Sequence, residues 1–400
     1  MQLPLIAPAP LVIAHSQMFD ELFKNRCQVE HVQQYLTGLM VLSNKSMTNI
    51  ARCTLASADK TNMWSEEPLS RFFSESPWEQ SRFNSHRIEY MLRHTQPHQR
   101  KPTDSAFIVD DTLCEHVGDL FEYVDRHYNH GDGTFPLAHN PVTSHFISGA
   151  VRFPLGLRLY RRYDEFTDWE TCVQQQFPGL TIPRTTKERT ALHKILDPAL
   201  LTDPAFAARD AQFQTKIDLA VELLAEAMTQ QVPFGVALFD GWYLAPDLLA
   251  ALKTHRKDWV SLLKKNRRLE TNSFVLKDAA GKALTLQGPH IKIEALLPLI
   301  PPSAFRALTV GAQTYWCFTL SLRIPDLGKV RIVISFGNAE LSGSYAVLVT
   351  NRVDWSAQRI LTLYLQRWPI ETFYQDGKTY LGFDEYRMRD AEAIKKQGSL

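Results

Sequence analysis

Phe234-Gly-Val-Ala-Leu-Phe239, with Asp240-Gly-Trp-Tyr243 directly after it, is the segment that points most clearly to a fold class. Its continuous apolar run predicts a strand that is buried on both faces, as in sheets covered by helices. A helical period over Phe213–Gln230 precedes this strand, and a second helix is predicted from Pro246 to about His255. The alternation of helix and strand predicts an α/β fold.

A second buried strand also leads into acidic residues. Ala106-Phe-Ile-Val109 is followed by Asp110 and Asp111. Because open α/β folds present their sites at the carboxyl ends of strands, Asp110 and Asp240 are candidate site residues. Carboxylates that converge there repel one another and are neutralised best by Mg²⁺ or Mn²⁺. Side chains alternate along a strand, so only one of the adjacent aspartates can point into the site. A turn or helix cap is the alternative role of such an aspartate.

The composition is that of a globular protein. The 400-residue chain has 44 Lys and Arg residues against 43 Asp and Glu residues, with 44% hydrophobic residues, which excludes a wholly disordered chain. The length predicts two or three domains. Five widely spaced cysteines favour neither a disulfide framework nor a thiolate zinc site, and they fit a reducing compartment. Met1–His15 is a poor signal peptide and no long apolar run follows, so a cytoplasmic protein without a membrane partner is expected.

The sequence patterns divide the chain into four segments. Residues 1–105 are predicted to form a helical N-terminal domain, and residues 106–268 the first part of the α/β core. A β-rich insertion is predicted over 269–355, after which residues 356–400 return to helix. The predicted layout is therefore a helical domain followed by an α/β core that a β-rich element splits.

Other local predictions concern loops and strands between these landmarks. Val142–Phe153 and Leu155–Tyr163 are predicted to form a hairpin with a proline between them. Within the insertion, residues 274–276 and 283–286 are among the predicted strands. Residues 166–211 are rich in proline and polar residues, so loops with short helices are predicted there.

Two segments concentrate basic residues. Lys253–Arg268 contains a single acid, Asp258, and Arg82–Lys101 contains only Glu89 among many bases. Clustered bases are candidates for contacts with nucleic-acid phosphates, and a solvated helix face is the alternative. The candidates for DNA binding at the end of the first segment are Lys264, Lys265, Arg267 and Arg268.

A third acid lies in a helical pattern near the end of the sequence. At about 100° per residue, four side chains are predicted to share one helix face. These residues are Tyr364, Arg367, Glu371 and Lys378. A carboxylate flanked by bases can ligate a metal while the bases hold phosphate oxygens. An exposed face with salt bridges would use the same spacing, and Pro369 is expected to bend the helix.

Together these blocks resemble the DDE-type insertion-sequence transposases. The resemblance is to the branch whose third acid lies in a Tyr-x2-Arg-x3-Glu-x6-Lys signature, and the four residues above stand at those intervals. The strand that ends in Asp110-Asp-Thr112, the block Asn140-Pro-Val-Thr-Ser-His145 and the segment Val236–Tyr243 also match. The resemblance therefore covers most of the chain.

This resemblance implies an RNase H-like mixed-sheet core that the β-rich insertion splits between Asp240 and Glu371. It further implies that Asp110, Asp240 and Glu371 are catalytic and bind two Mg²⁺ (or Mn²⁺) ions. The family's Asp-x-Thr pattern favours Asp110 over Asp111 as the ligand.

The resemblance also implies double-stranded DNA as the partner, both the terminal repeats of the element and the target DNA, and it makes the helical segment 1–105 a predicted DNA-binding domain. Arg367 and Lys378 are then expected to hold phosphates, with Tyr364 in the same contact. Trp242 is a candidate platform for an unpaired base, and a buried core position is its alternative. A homodimer on paired ends, associated with the bacterial nucleoid, is implied as well.

Three functional hypotheses follow from the sequence. The first is a Mg²⁺-dependent transposase that cleaves element ends and joins them to target DNA. The second is a truncated, non-catalytic DNA-binding derivative, because the family usually places more helices after the glutamate than residues 372–400 can supply. The third is a metal-dependent nuclease without strand transfer, which would use the same three acids.

Overall fold

The computed structural model describes residues 5–54, 66–386 and 388–399. Parts of the predicted segments 1–105 and 356–400 therefore lie outside the described residues, as does the beginning of Met1–His15. Within the described chain, no helix is long and apolar enough to cross a membrane.

The N-terminal part is helical, as the sequence predicts. Its helices are α1 (Pro10–Ser16), α2 (Arg26–Val41), α3 (Met47–Cys53), α4 (Glu66–Ser74) and α5 (Gln80–Thr95). Local chemistry defines their starts, because the side chains of Asn25 and Ser46 accept hydrogen bonds from backbone N–H groups in the first turns of α2 and α3. The helices enclose an aromatic core in which Phe72 stacks on Trp78.

A mixed sheet and the helices on its two faces follow. The first elements are β1 (Ala106–Asp111), β2 (Cys114–Glu115), β3 (Asp125–Arg126), β4 (Leu137–Ser148), β5 (Val151–Tyr160), α6 (Tyr163–Thr167), α7 (Trp169–Gln176), α8 (Thr186–Leu200), α9 (Pro204–Gln212), α10 (Lys216–Thr229), β6 (Val236–Phe239), α11 (Pro246–Thr254) and β7 (Asp258–Leu262). The remaining elements are β8 (Arg268–Glu270), β9 (His290–Lys292), α12 (Ile293–Leu296), β10 (Arg306–Val310), β11 (Gln313–Ile324), β12 (Gly328–Phe336), β13 (Tyr345–Thr350), α13 (Ala357–Leu365), α14 (Pro369–Leu381) and α15 (Ala391–Ser399).

The strand order β5-β4-β1-β6-β7 forms the centre of the sheet. β1 runs parallel to β6, and β6 runs parallel to β7, whereas β4 is antiparallel to both β1 and β5. Apolar residues of α10 and α11 pack on one face of the sheet, and those of α13 and α14 pack on the other. This mixed α/β architecture confirms the predicted RNase H-like core.

The predicted insertion does not form a sheet of its own. β13 pairs with β7 through Leu348 opposite Leu262, and β12, β11 and β10 continue outward from β13. The strands of residues 269–355 therefore extend the core sheet. The small ribbon of β8 and β9 is the part that pairs separately.

Several local predictions were wrong in detail. The β4–β5 hairpin turns at Gly149, whose φ is +66°, and not at Pro154. Pro154 fits inside β5 because this strand pairs only with β4 among the described strands, so a missing N–H breaks no ladder on its other side. Segments 274–276 and 283–286 form no strand. The pairing between these two parts of the chain is limited to an isolated bridge between Lys277 and Ala283.

The interval predicted as loops with short helices is mostly helical. Helices α6 to α9 enclose their own small core around Trp169, Leu196 and Phe206. Prolines misled the prediction because Pro204 occupies the first turn of α9, where no backbone donor is lost. This helical module leads directly into α10, whose first residue contacts the site described next.

Candidate active site

The ends of two parallel strands bring the first two acids to one edge of the sheet. Ile108 of β1 is in register with Leu238 of β6, so Asp110 and Asp240 follow at matching positions. Asp240 also shapes its own turn, because Oδ1 accepts hydrogen bonds from the backbone N–H of Trp242 at 2.9 Å and of Tyr243 at 3.3 Å. Asp240 can therefore be a candidate site residue and also cap its own turn, which are the two roles that the sequence left open.

The environment of Asp110 disfavours its negative charge. Its side chain is 13% exposed. Burial, followed by the nearby charges of Asp111 and Asp240, raises the pKa of Asp110 to about 7, although Arg367 opposes the shift. An edge that crowds carboxylates in this way favours a bound cation.

Arg367 links Asp110 to the third acid. Its guanidinium donates to Asp110 through Nη1 and to Glu371 Oε1 through Nη2, the latter at 3.1 Å. Glu371 lies in the first turn of α14 and its side chain is 45% exposed. The guanidinium thus lies between the carboxylate of the sheet edge and that of the helix.

The four signature residues do not share one continuous helix. α13 ends at Leu365 and α14 begins at Pro369, so the expected bend at this proline is a break. Tyr364 lies at the end of α13 with the Arg367 guanidinium 5.9 Å from its ring, and burial raises the pKa of Tyr364 to about 12. Lys378 is turned away from the acids, because its Nζ donates to Thr112 Oγ1 at 3.0 Å and to the backbone oxygen of Leu113 at 2.6 Å.

Asp111 points to the opposite side of β1 from Asp110. Its carboxylate accepts from Lys216 Nζ at 2.7 Å, Asn140 Nδ2 at 3.0 Å and the Tyr243 hydroxyl at 2.8 Å. Burial by itself would raise the pKa of Asp111, but the charge and hydrogen bonds of these donors hold it below the usual range. The alternation that the sequence predicts for the two aspartates is therefore seen in their contacts.

A buried hydrogen bond fastens α14 to the sheet. The hydroxyls of Tyr374 and Thr143 lie 2.6 Å apart, and His145 Nε2 lies 3.1 Å from the same threonine oxygen. Tyr374 stands one turn after Glu371 on α14. Sequence reasoning missed this role of Thr143, although the matching block Asn140–His145 contained the signal.

The basic residues after β7 lie beyond the same edge of the sheet as the two aspartates, because β6 and β7 are parallel. Lys264 Nζ lies 5.5 Å from the Trp242 ring centroid, and Lys265 Nζ lies 3.9 Å from that of Tyr345. Arg268 is exposed in β8 and Arg267 is half-buried. This group, Lys264 to Arg268, is the basic edge.

The second basic segment, Arg82–Lys101, fits the prediction of a phosphate-binding surface less well. Arg87 is engaged by the protein, since its guanidinium donates to the backbone oxygens of Pro154 and Leu155. Arg93 pairs with Glu89 on the same helix. At least these two bases of Arg82–Lys101 serve intramolecular contacts.

Two exposed tryptophans flank the acids in sequence. Trp242 is 59% exposed, which removes the alternative of a buried core position, and Trp368 is 68% exposed. Sequence reasoning did not single out Trp368, although its place between Arg367 and Pro369 was a usable signal.

The donor set fits a divalent cation in its chemistry. Carboxylate oxygens are the ligands that Mg²⁺ and Mn²⁺ prefer, and Asp110 and Glu371 already converge on one positive group. Within the described residues, however, no three acidic, histidine or cysteine side chains come close enough to enclose an ion. Arg367 stands between two of the three acids.

Comparison with known families agrees with the class of enzyme that this RNase H-like fold and its acidic edge define. The family model described as "DDE superfamily endonuclease" matches residues 18–285, which is more than half of the chain, and the model described as "Transposase DDE domain" matches residues 214–399. No curated protein matches the sequence.

The chain belongs to the DDE superfamily of endonucleases and is a DDE-type transposase. Its substrate is therefore DNA, and enzymes of this superfamily use divalent metal ions. The resemblance inferred from the sequence is confirmed at this level, while the branch with the Tyr-Arg-Glu-Lys signature stays a prediction.

Proposed function

We propose that this transposase cleaves the ends of its element by Mg²⁺-dependent hydrolysis and joins the freed 3′-hydroxyl to target DNA. The observation that carries the proposal is the meeting of Asp110 and Asp240 at one sheet edge, with Glu371 joined to Asp110 through Arg367. The two strand ends thus supply adjacent carboxylates, and the helix supplies a third that Arg367 holds next to them, which supports phosphodiester chemistry at this edge.

Asp110, Asp240 and Glu371 are the proposed ligands of two Mg²⁺ or Mn²⁺ ions. When bound, such ions activate the attacking hydroxyl and stabilise the leaving oxygen. The protein contributes by holding the three carboxylates, and Arg367 donates hydrogen bonds to two of them in the free chain. Transfer of this guanidinium from the carboxylates to a DNA phosphate would open the acidic edge at the moment of substrate binding.

The proposed DNA contacts surround this edge. Tyr364, Arg367 and Lys378 would contact the strand being cleaved, and Lys378 would first have to leave Thr112. The basic edge would hold phosphates of the same duplex, and exposed Trp242 offers a surface on which an unpaired base can stack. A homodimer on paired element ends is proposed as the acting form, since joining two ends requires them in one complex.

The test is a cleavage and joining assay on labelled DNA that carries the element's own ends. Glu371→Gln should abolish cleavage and keep end binding, because it removes a charged ligand without changing the shape of the side chain. Asp376→Asn, a change at an exposed acid of the same helix, serves as the matched control and should cleave like the parent. Joined products would support transposition, cleavage without joining would indicate a nuclease, and binding without cleavage would indicate a non-catalytic derivative.

A further inference from the structure

The carboxylate of Asp111 is fully engaged by the protein. Oδ2 accepts from Lys216 and Asn140, and Oδ1 accepts from the Tyr243 hydroxyl. These donors come from α10, from β4 and from the loop after β6. Three elements therefore meet at one half-buried acid that neighbours a proposed metal ligand.

Tyr243 joins this acid to the other strand end. Its hydroxyl donates to Asp111, while its backbone N–H donates to Asp240 Oδ1 at 3.3 Å. The ring between these two bonds is completely buried, so it has little freedom to move. The end of β1 and the end of β6 are thus tied through a single rigid side chain.

We infer that Asp111 is a positioning residue, which acts through Tyr243 to hold Asp110 and Asp240 at the separation that metal binding requires. The inference rests on the proposed function. Asp110 follows any movement of its neighbour's backbone, and Asp240 follows any movement of the turn that Tyr243 closes. Since Mg²⁺ demands near-ideal octahedral geometry, small displacements of these carboxylates weaken its binding.

Tyr243→Phe is the sharpest variant, because it removes one hydroxyl and keeps the buried ring. Mn²⁺ is titrated into the free protein by calorimetry, without DNA, and DNA cleavage is measured separately as a function of Mg²⁺ concentration. Loss of a residue that orients metal ligands typically lowers metal affinity by about 10- to 100-fold. We expect a loss of about 10-fold for Tyr243→Phe and a larger loss for Asp111→Ala, with cleavage recovering at high Mg²⁺. Asp111→Asn keeps an oxygen for Lys216 and should fall between the parent and Asp111→Ala.

Asp164→Asn is the matched control. Asp164 is also a mostly buried acid with basic partners, Arg189 and His193, but it belongs to the helical module α6–α9. This variant should lower the unfolding temperature without changing the Mn²⁺ affinity, which separates a positioning effect from general destabilisation.

Two results would overturn the inference and leave the proposed function standing. One is parental Mn²⁺ affinity in both Tyr243→Phe and Asp111→Ala. The other is complete loss of Mn²⁺ binding in Asp111→Ala, equal to that of Asp110→Ala, which would make Asp111 a ligand. If the parent neither bound Mn²⁺ nor cleaved DNA, the proposed function would fail and the inference with it.

Discussion

The guanidinium of Arg367 is hydrogen-bonded to the carboxylate of Asp110 across the boundary between the α13–α14 junction and the end of β1. Each side chain is 13% exposed, so the pair is largely removed from water. Charge pairs in such surroundings are weakly screened. Arg367 therefore occupies the electrostatic position that a cation would otherwise take beside this acid.

Replacing Arg367 should make cation binding by the free protein easier. Arg367→Ala removes the internal competitor, and we expect Mn²⁺ affinity to rise by about tenfold, which corresponds to about 1.4 kcal/mol. Calorimetry without DNA measures this, at a pH well above the value of about 7 to which the pKa of Asp110 is raised. Arg352→Ala is the control, because Arg352 also bridges two acids, Asp258 and Asp354, and should leave the affinity unchanged. Weaker binding in Arg367→Ala would contradict the competition.

Loss of the Thr143 hydroxyl should loosen α14. Thr143→Val leaves the buried Tyr374 hydroxyl without its partner, which costs about 1–3 kcal/mol of stability. Because Glu371 lies on the same helix, DNA cleavage should fall more than DNA binding. Urea unfolding and the cleavage assay measure the two effects. Thr143→Ser keeps the hydroxyl and should retain both properties; equal cleavage by the valine and serine variants would argue against this role.

Gly382 allows α14 to end where it does. Its φ is +64°, in the left-handed region, and an added Cβ would lie 2.5 Å from Cβ of Lys45. Gly382→Ala should therefore lower the free energy of unfolding by about 1–2 kcal/mol. Thermal unfolding measures the loss. Gly281 also has a positive φ, but a Cβ added there meets no atom within 4 Å. The difference in stability loss between Gly382→Ala and Gly281→Ala therefore reports the steric contribution of the contact with Lys45. An unchanged Gly382→Ala protein would contradict both effects.

Stability of the helical module should depend on the charge of His193. Burial lowers the pKa of His193, but the hydrogen bonds and charges of Asp164 and Asp197 raise it by more, so the pKa lies above 6.5. A raised folded-state pKa means that this contribution is fully present below pH 6.5 and is lost as the pH rises through the higher folded value. The pKa of Asp164 is lowered from 3.8, so its contribution is lost only as the pH falls below that value.

The measurement is the difference in unfolding free energy between the parent and His193→Asn at several pH values. The difference should be largest between about pH 4 and 6.5 and should shrink at alkaline pH. Using the difference removes the opposite effects of His116 and His127, whose burial lowers the pKa to about 4. A difference that grows as the pH rises would contradict the prediction, because it would mean that folding lowers the pKa of His193.

The basic edge should account for part of the salt dependence of DNA binding. Replacing both Lys264 and Lys265 by Ala removes up to two phosphate contacts, so the slope of log affinity against log salt should decrease by about 1 for each lysine that neutralises a phosphate. Fluorescence anisotropy across a salt series measures the slope. Lys187→Ala, at an exposed lysine of α8, is the control with an unchanged slope. If the double variant keeps the parental slope, the basic edge does not contact phosphate.

Local patterns predicted the core strands and the position of two acids at their ends, while the catalytic role of these acids stays a prediction. The apolar runs before Asp110 and Asp240 form β1 and β6, and Pro246 begins α11, because buried strands and helix starts depend on neighbouring residues. The pattern also indicated that Asp110 and Asp111 face opposite sides, since alternation is a property of any strand. That the strands of 269–355 extend the core sheet was harder to predict, because β13 joins the core by pairing with β7, which lies far away in the chain.

Contacts between distant residues decided the rest. No spacing rule could show that Arg367 bridges Asp110 and Glu371, that Lys378 turns to the loop after β1, or that Tyr243 ties two strand ends together. The local sequence by itself determined the strands that precede Asp110 and Asp240, the start of α11 and the runs of basic residues, since those preferences act within a few positions. The arrangement of charges around the acids was set only when the sheet and its helices packed, because burial and pairing depend on three-dimensional neighbours.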